Sequence, residues 1–127
     1  MEKLLNKVVL IVDDEARNTF ALSSYLESFN MIVVTAKNGE EAMRLLRNNT
    51  VKTDIILLDM MMPVMDGYEM LGLLRTDPLL KTVPVIAVTA RAMKGDREKC
   101  IEAGAWDYLS KPLDTKLLLE KLNQWIT

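Results

Sequence analysis

The chain contains no histidine among its 127 residues, so imidazole is excluded as general base, phosphoryl carrier or metal ligand. It has one cysteine, Cys100, so no internal disulfide can form, which suits a reducing cytoplasmic setting. No apolar run approaches the ~18 residues needed to span a bilayer. Met1-Glu2-Lys3 opens directly into domain sequence without a signal-peptide pattern, so no membrane partner is expected. The formal net charge of −2 lacks the basic excess of a nucleic-acid binder, and no direct nucleic-acid contact is expected. Repeats, low-complexity stretches and linkers are absent, which argues for a single domain over 1–127.

What is present points to a globular α/β chain. Half the residues are hydrophobic and 27% are charged. Short runs rich in Val and Ile predict strands near 8–12, 31–35, 55–59, 85–89 and 107–110. Segments of helical period between them predict helices near 16–29, 39–48, 67–75, 92–103 and 114–126. Alternation of this kind argues for βα units and a doubly wound parallel sheet with helices on both faces. The first, third and fourth runs are apolar throughout, as strands covered on both faces are. The second is mixed and reads as an edge. Asn38-Gly39 and Asp66-Gly67 mark turns before helices, and Asp77-Pro78 and Gly104 mark helix ends. Asp114-Thr115 suits the cap of the last helix. The segment 76–84 reads as a surface loop.

The chemistry gathers where strands end. Asp13 and Asp14 follow the first run, Asp59 closes the third, Thr89 ends the fourth and Lys111 follows the fifth. In an open parallel sheet these ends share one edge, where ligands bind. Crowded carboxylates repel, and a hard divalent cation such as Mg²⁺ relieves the conflict. An open Mg²⁺ position beside a free carboxylate is an arrangement for phosphoryl transfer, with aspartate as nucleophile. A lysine and a hydroxyl supply further contacts to phosphoryl oxygens. Asp13 and Asp14 are adjacent and diverge, so they suit metal binding, one directly and one through water. Asp59 stands alone at the end of a central strand and is the better nucleophile. Backbone carbonyls of the Met60-Met61-Met62 loop suit the rest of the metal shell.

Val-Asp-Asp-Glu at 12–15, Leu-Leu-Asp-Met-Met-Met-Pro-Val-Met-Asp-Gly at 57–67, Val-Thr-Ala at 88–90 and Ser-Lys-Pro at 110–112 resemble the receiver domain of two-component response regulators. The resemblance covers essentially the whole chain. It implies a five-stranded flavodoxin-like (βα)5 sheet in the order 2-1-3-4-5. It implies phosphorylation at Asp59, and Mg²⁺ bound by Asp14, Asp59 and the backbone carbonyl of Met61, with Asp13 assisting through water. It matches Thr89 and Lys111 to the family's catalytic hydroxyl and lysine, and Thr89 and Tyr108 to its switch pair on the face of the fourth helix, fifth strand and fifth helix. A cis Lys111-Pro112 bond is implied as well. The donor implied is a histidine kinase or a histidine phosphotransfer protein, and the output a downstream protein target. Beyond self-catalysed phosphoryl transfer and autodephosphorylation, no enzymatic turnover is implied. Met61 and Arg91 match positions that control access of water to the acyl phosphate, which predicts a long-lived phosphoryl state.

Other readings of these residues are blander. An isolated Asp13-Asp14 would serve as a helix cap, and an isolated Lys111 as a solvated lysine. The methionines at 60, 61, 62 and 65 fit gap-filling packing better than a copper site, and Cys100 reads as a packing thiol. In the first helix Leu22, Leu26 and Phe29 form a core stripe, and Phe20 points away from it. Arg17, Asn18, Phe20 and Ala21, with Pro112, form a candidate partner-docking patch. A small Mg²⁺-dependent aspartyl-phosphate phosphatase is the enzyme alternative, but the haloacid-dehalogenase pattern wants an acid where Met61 stands. A degenerate receiver would have lost acids that are present here. A stand-alone regulator, a piece of a hybrid histidine kinase and a phosphorylation-dependent homodimer all remain compatible with the sequence.

Overall fold

Five apolar runs pair into one parallel sheet in the order β2-β1-β3-β4-β5, in a computed structural model that describes residues 2–48, 52–62, 65–90 and 93–126. The strands are β1 (Val8–Val12), β2 (Ile32–Ala36), β3 (Ile55–Asp59), β4 (Val85–Thr89) and β5 (Asp107–Ser110). The helices are α1 (Ala16–Glu27), α2 (Gly39–Asn48), α3 (Gly67–Thr76), α4 (Asp96–Ala103) and α5 (Thr115–Trp125). A short 3-10 helix, Glu2–Leu4, precedes β1. Every residue of β1, β3 and β4 is buried, whereas β2 lies at an edge and is partly exposed. That is the contrast expected between covered and edge strands.

Successive side chains of a strand point to opposite faces, so the sheet divides its core in two. Leu10, Val12, Ile56, Leu58, Val85 and Ala87 pack with α2, α3 and Cys100 of α4. Val9, Ile11, Ile55, Leu57, Ile86, Val88 and Leu109 pack with Leu26 of α1 and Leu118 and Leu122 of α5. Each helix thus buries one stripe against one face, and the alternation along the strands decides which.

Several boundaries differ from the sequence reading. The first helix stops at Glu27, because Asn30 adopts a left-handed φ of 62° that a continuing helix forbids. Phe29 therefore lies beyond α1 and meets Tyr25 edge-on at 5.3 Å. The second strand is displaced by one residue toward Ala36. The fourth helix starts only at Asp96, since Gly95 takes a φ of 88° and the Asp96 carboxylate accepts from the Met93 N–H at 2.8 Å. The 76–84 segment is not all surface: Leu80 and Pro84 are buried, Leu80 within the α2–α4 core. The caps expected at Asp114 and Gly104 are formed, with Asp114 accepting from the N–H groups of Lys116 and Leu117, and Asp66, read only as a turn residue, also caps α3 by accepting from the Glu69 N–H.

Gly67 opens α3 because two chain segments touch there. A Cβ on it would stand 2.5 Å from Met60 Sδ and 2.7 Å from Met60 Cα. The thioether can swing away but the backbone cannot, and Met60 directly follows Asp59. Gly67→Ala is expected to lower stability by about 1–3 kcal/mol. Denaturant unfolding checks this; a midpoint equal to that of the wild type would mean the loop yields freely.

At the opposite end of β5, Asp107 is buried with four bonds. It accepts from Lys121 Nζ at 2.9 and 3.0 Å, from Trp125 Nε1 at 2.8 Å and from the Tyr108 N–H at 2.8 Å. Trp106 meets Trp125 edge-on at 5.6 Å. Burial alone would raise the Asp107 pKa, but the Trp125, Lys121 and Tyr108 donors outweigh it and hold the carboxyl below the usual carboxylate range. A depressed folded pKa gives stability that is present above the unfolded value and lost as pH falls through the folded one. Asp107→Ala is therefore expected to cost about 2–3 kcal/mol near neutral pH, with the gap narrowing in acid. Melting curves from neutral to acidic pH test this; a gap independent of pH would sink the ionic account.

Candidate functional site

Parity along the strands sets the geometry of the site. Asp13, Asp59 and Lys111 extend the rows that face α1 and α5. Thr89 and Tyr108 belong to the rows that face α2–α4. All five stand at or near the carboxyl edge of the sheet, which the Thr89↔Ser110 register and the bond from the Lys111 N–H to the Thr89 carbonyl (2.8 Å) hold together.

Among the described residues, carboxylate oxygens of Asp13, Asp14 and Asp59 lie within 4.8 Å of one another. Lys111 Nζ sits 3.1 Å from Asp13 Oδ2 and 3.5 Å from Asp59 Oδ2. The Glu15 N–H donates to Asp13 Oδ1 at 2.9 Å, and the Met61 N–H to Asp59 Oδ1 at 3.0 Å. Both oxygens of Asp13 are thus held by the protein, while Asp14 is exposed. The helix-cap reading fails for this pair: Glu15 occupies the cap of α1, and no side-chain bond closes it. Glu15 entered the sequence reading only as part of Val-Asp-Asp-Glu and its bond to Asp13 was missed, although an acid two residues before a helix cap is the pattern of a turn in which the acid accepts from the cap N–H.

Asp59 is only 6% exposed, and burial raises its pKa. The Met61 N–H and Lys111 pull it down without cancelling that rise, and Asp13 adds to it. For Lys111 burial would lower the pKa, but the bond to Asp13 and the charge of Asp59 prevail and raise it. The ammonium therefore stays charged across the neutral range. Three hard oxygen donors with an excess of negative charge fit a small divalent cation such as Mg²⁺, which takes few carboxylates and keeps water in its shell.

Thr89 is buried at the end of β4 and shares a depression with Met60, Met61, Met93 and Asp96. Tyr108 is partly buried against the α2–α4 core. Lys111-Pro112 is cis. Met61 is 51% exposed; Arg91 lies outside the described residues. Cys100 is buried, 3.8 Å from the Tyr68 hydroxyl, and burial pushes its thiol pKa up, so it is a packing thiol. Phe20 is 76% exposed, and Arg17, Asn18, Ala21 and Pro112 are exposed as well. Asn18, Ala21 and Pro112 border one groove beside Asp13 and Lys111; Arg17 and Phe20 stand outside its lining.

The family model of the response regulator receiver domain matches residues 9–123. The polar-differentiation response regulator DivK of Brucella anthropi is 35% identical over 120 residues, covering 94% of this chain and 96% of that protein. Hybrid signal transduction histidine kinase I of Dictyostelium discoideum is 34% identical over 129 residues, which span 98% of this chain but 7% of the kinase. The receiver domain of sensor histidine kinase PA1611 from Pseudomonas aeruginosa PAO1, solved with a magnesium ion in its active site cleft, superposes with a TM-score of 0.85 at 35% identity, over 94% of this chain and 97% of that one. Fold, strand-end chemistry and kinship agree: the chain belongs to the response regulator receiver domain family and is a receiver domain of two-component phosphorelay signalling.

Proposed function

We propose that Asp59 accepts a phosphoryl group from a phosphohistidine on a histidine kinase or a histidine phosphotransfer protein. The observation that carries this is one buried carboxylate, Asp59, within 4.8 Å of two further acids and 3.5 Å from a lysine ammonium. A carboxylate oxygen of Asp59 attacks phosphorus; the P–N bond breaks, its electrons return to the imidazole, and an acyl phosphate forms. Lys111 neutralises charge on the transferring group, and the Thr89 hydroxyl donates to a phosphoryl oxygen. Asp14, Asp59 and the Met61 carbonyl would hold Mg²⁺, with Asp13, already bonded to Lys111 and Glu15, acting through water. Bound there, the metal supplies charge neutralisation for phosphoryl transfer. Movement of Thr89 toward the phosphoryl group then biases Tyr108 and the α4–β5–α5 face between two states. A downstream protein reads that face, and its binding or homodimerisation carries the signal. The chain does no other catalysis, and the whole of 1–127 acts as one receiver unit in the cytoplasm.

Beryllofluoride with Mg²⁺, a mimic of the acyl phosphate, tests the site. Saturable binding that perturbs Tyr108 and disappears in Asp59→Asn is expected; no response would overturn the reading. The exposure of Phe20 supports docking of the donor on α1. Phe20→Ala should slow transfer from the cognate donor and leave beryllofluoride binding unchanged; an unaltered transfer rate would remove the patch from the reading. Met61 hinders in-line water, so after donor removal the phosphoryl group should decay over minutes or longer. A decay within seconds would remove that role.

A further inference from the structure

Beneath the acids, a groove of about 500 Å³ runs between α1 and the β5–α5 connection. That volume falls in the range of small-molecule sites. Ile11, Leu57 and Val88 form its floor, and Leu22, Tyr25 and Leu113 its walls. The lining is mostly apolar; its charged side chains, Asp13, Asp59 and Lys111, stand at the carboxyl edge of the sheet and mark the mouth, and Asn18 and Thr115 add two neutral polar groups. The mouth carries two carboxylates against one ammonium, with exposed Asp14 beside them. A guest with an apolar body and an anionic head would set like charge against like. A guest with a cationic head would meet the excess of negative charge while its body leaves water.

We propose that this groove binds a small organic cation, a primary ammonium on a flat apolar body of one or two rings. The ammonium has three donors to share among the carboxylate oxygens of the mouth, and the rings lie between Leu22, Tyr25 and Leu113. Occupancy places the head where a divalent cation would otherwise sit, so the amine and Mg²⁺ exclude one another. The receiver thereby gains a direct chemical input that needs no phosphoryl donor. This inference does not depend on phosphorylation of Asp59, since it concerns the unphosphorylated chain.

Calorimetric titration of the full chain with tryptamine, tryptophol and indoleacetate separates the terms, because the three probes share rings and differ in the head. Tryptamine should bind about tenfold or more tightly than the alcohol or the acid, and saturating Mg²⁺ should weaken it by about tenfold or more. Leu113→Trp, which fills the groove, should lose tryptamine binding and keep Mg²⁺ binding; Ala21→Leu at the rim serves the same purpose should Leu113→Trp fail to fold. Absence of tryptamine binding, equal affinity for the three probes, indifference to Mg²⁺, or full binding by a folded groove-filled variant would each overturn the proposal.

Discussion

Asp59→Asn is expected to abolish phosphoryl incorporation from a phosphohistidine donor while the fold persists. Asparagine keeps the shape and the acceptor for the Met61 N–H, but its amide is a poor nucleophile. The effect should be near total, because Asp13 and Asp14 stand outside the central strand and Asp13 has both oxygens held by Glu15 and Lys111. Stability should move the other way. Burial raises the Asp59 pKa, so the folded state holds this proton more tightly than the unfolded chain does. Its contribution is present at low pH and lost as pH rises through the folded pKa, so at neutral pH the ionised carboxylate is a cost. Without Mg²⁺, Asp59→Asn should therefore melt no lower than the wild type, and higher where the cost dominates. Electrophoresis that retards phosphoprotein, together with thermal melts in chelator, reports both. Undiminished labelling of the variant would displace Asp59 as acceptor.

Lys111→Ala has the second largest expected effect. It removes the ammonium 3.1 Å from Asp13 and 3.5 Å from Asp59. Loss of one such charge-stabilising group slows the chemical step by about 10²–10³-fold. The same change leaves three crowded carboxylates without a counter-charge, so Mg²⁺ should bind more tightly. A slower step with tighter metal binding separates an electrostatic role from general damage, which would weaken both. Single-turnover transfer and metal titration provide the two readings; a rate within about twofold of wild type would exclude the role.

The parallel sheet and the strand-end residues were legible because their signal is local or periodic, whereas the strand order came only from the family resemblance. Val8–Val12, Ile55–Asp59 and Val85–Thr89 are apolar without interruption, and each chemical residue directly ends or follows its run. What escaped depends on distant parts of the chain. Three of the four bonds on Asp107 come from Lys121 and Trp125, whose meeting with β5 no spacing rule foretells. Gly67 read as a turn residue, yet its measurable constraint is contact with Met60. The start of α4 was read too early because Met93 and Lys94 suit a helix, while Gly95 in a left-handed conformation breaks it. The groove under α1 is a space, and its lining comes from separate strands and helices.

The alternation of β-strand side chains has a final consequence. Asp59 and Lys111 open toward α1 and α5, and Thr89 and Tyr108 toward α4, so the group that receives the message and the pair that responds to it stand on different sides of a thin wall. A protein seated over α1 need not depart before another takes hold near α4. Under the proposed roles, a target held by α4 alone leaves α1 clear for the donor, whereas one that spreads over α5 competes with it for the same side, so the reach of the target across α5 decides whether delivery overlaps with response.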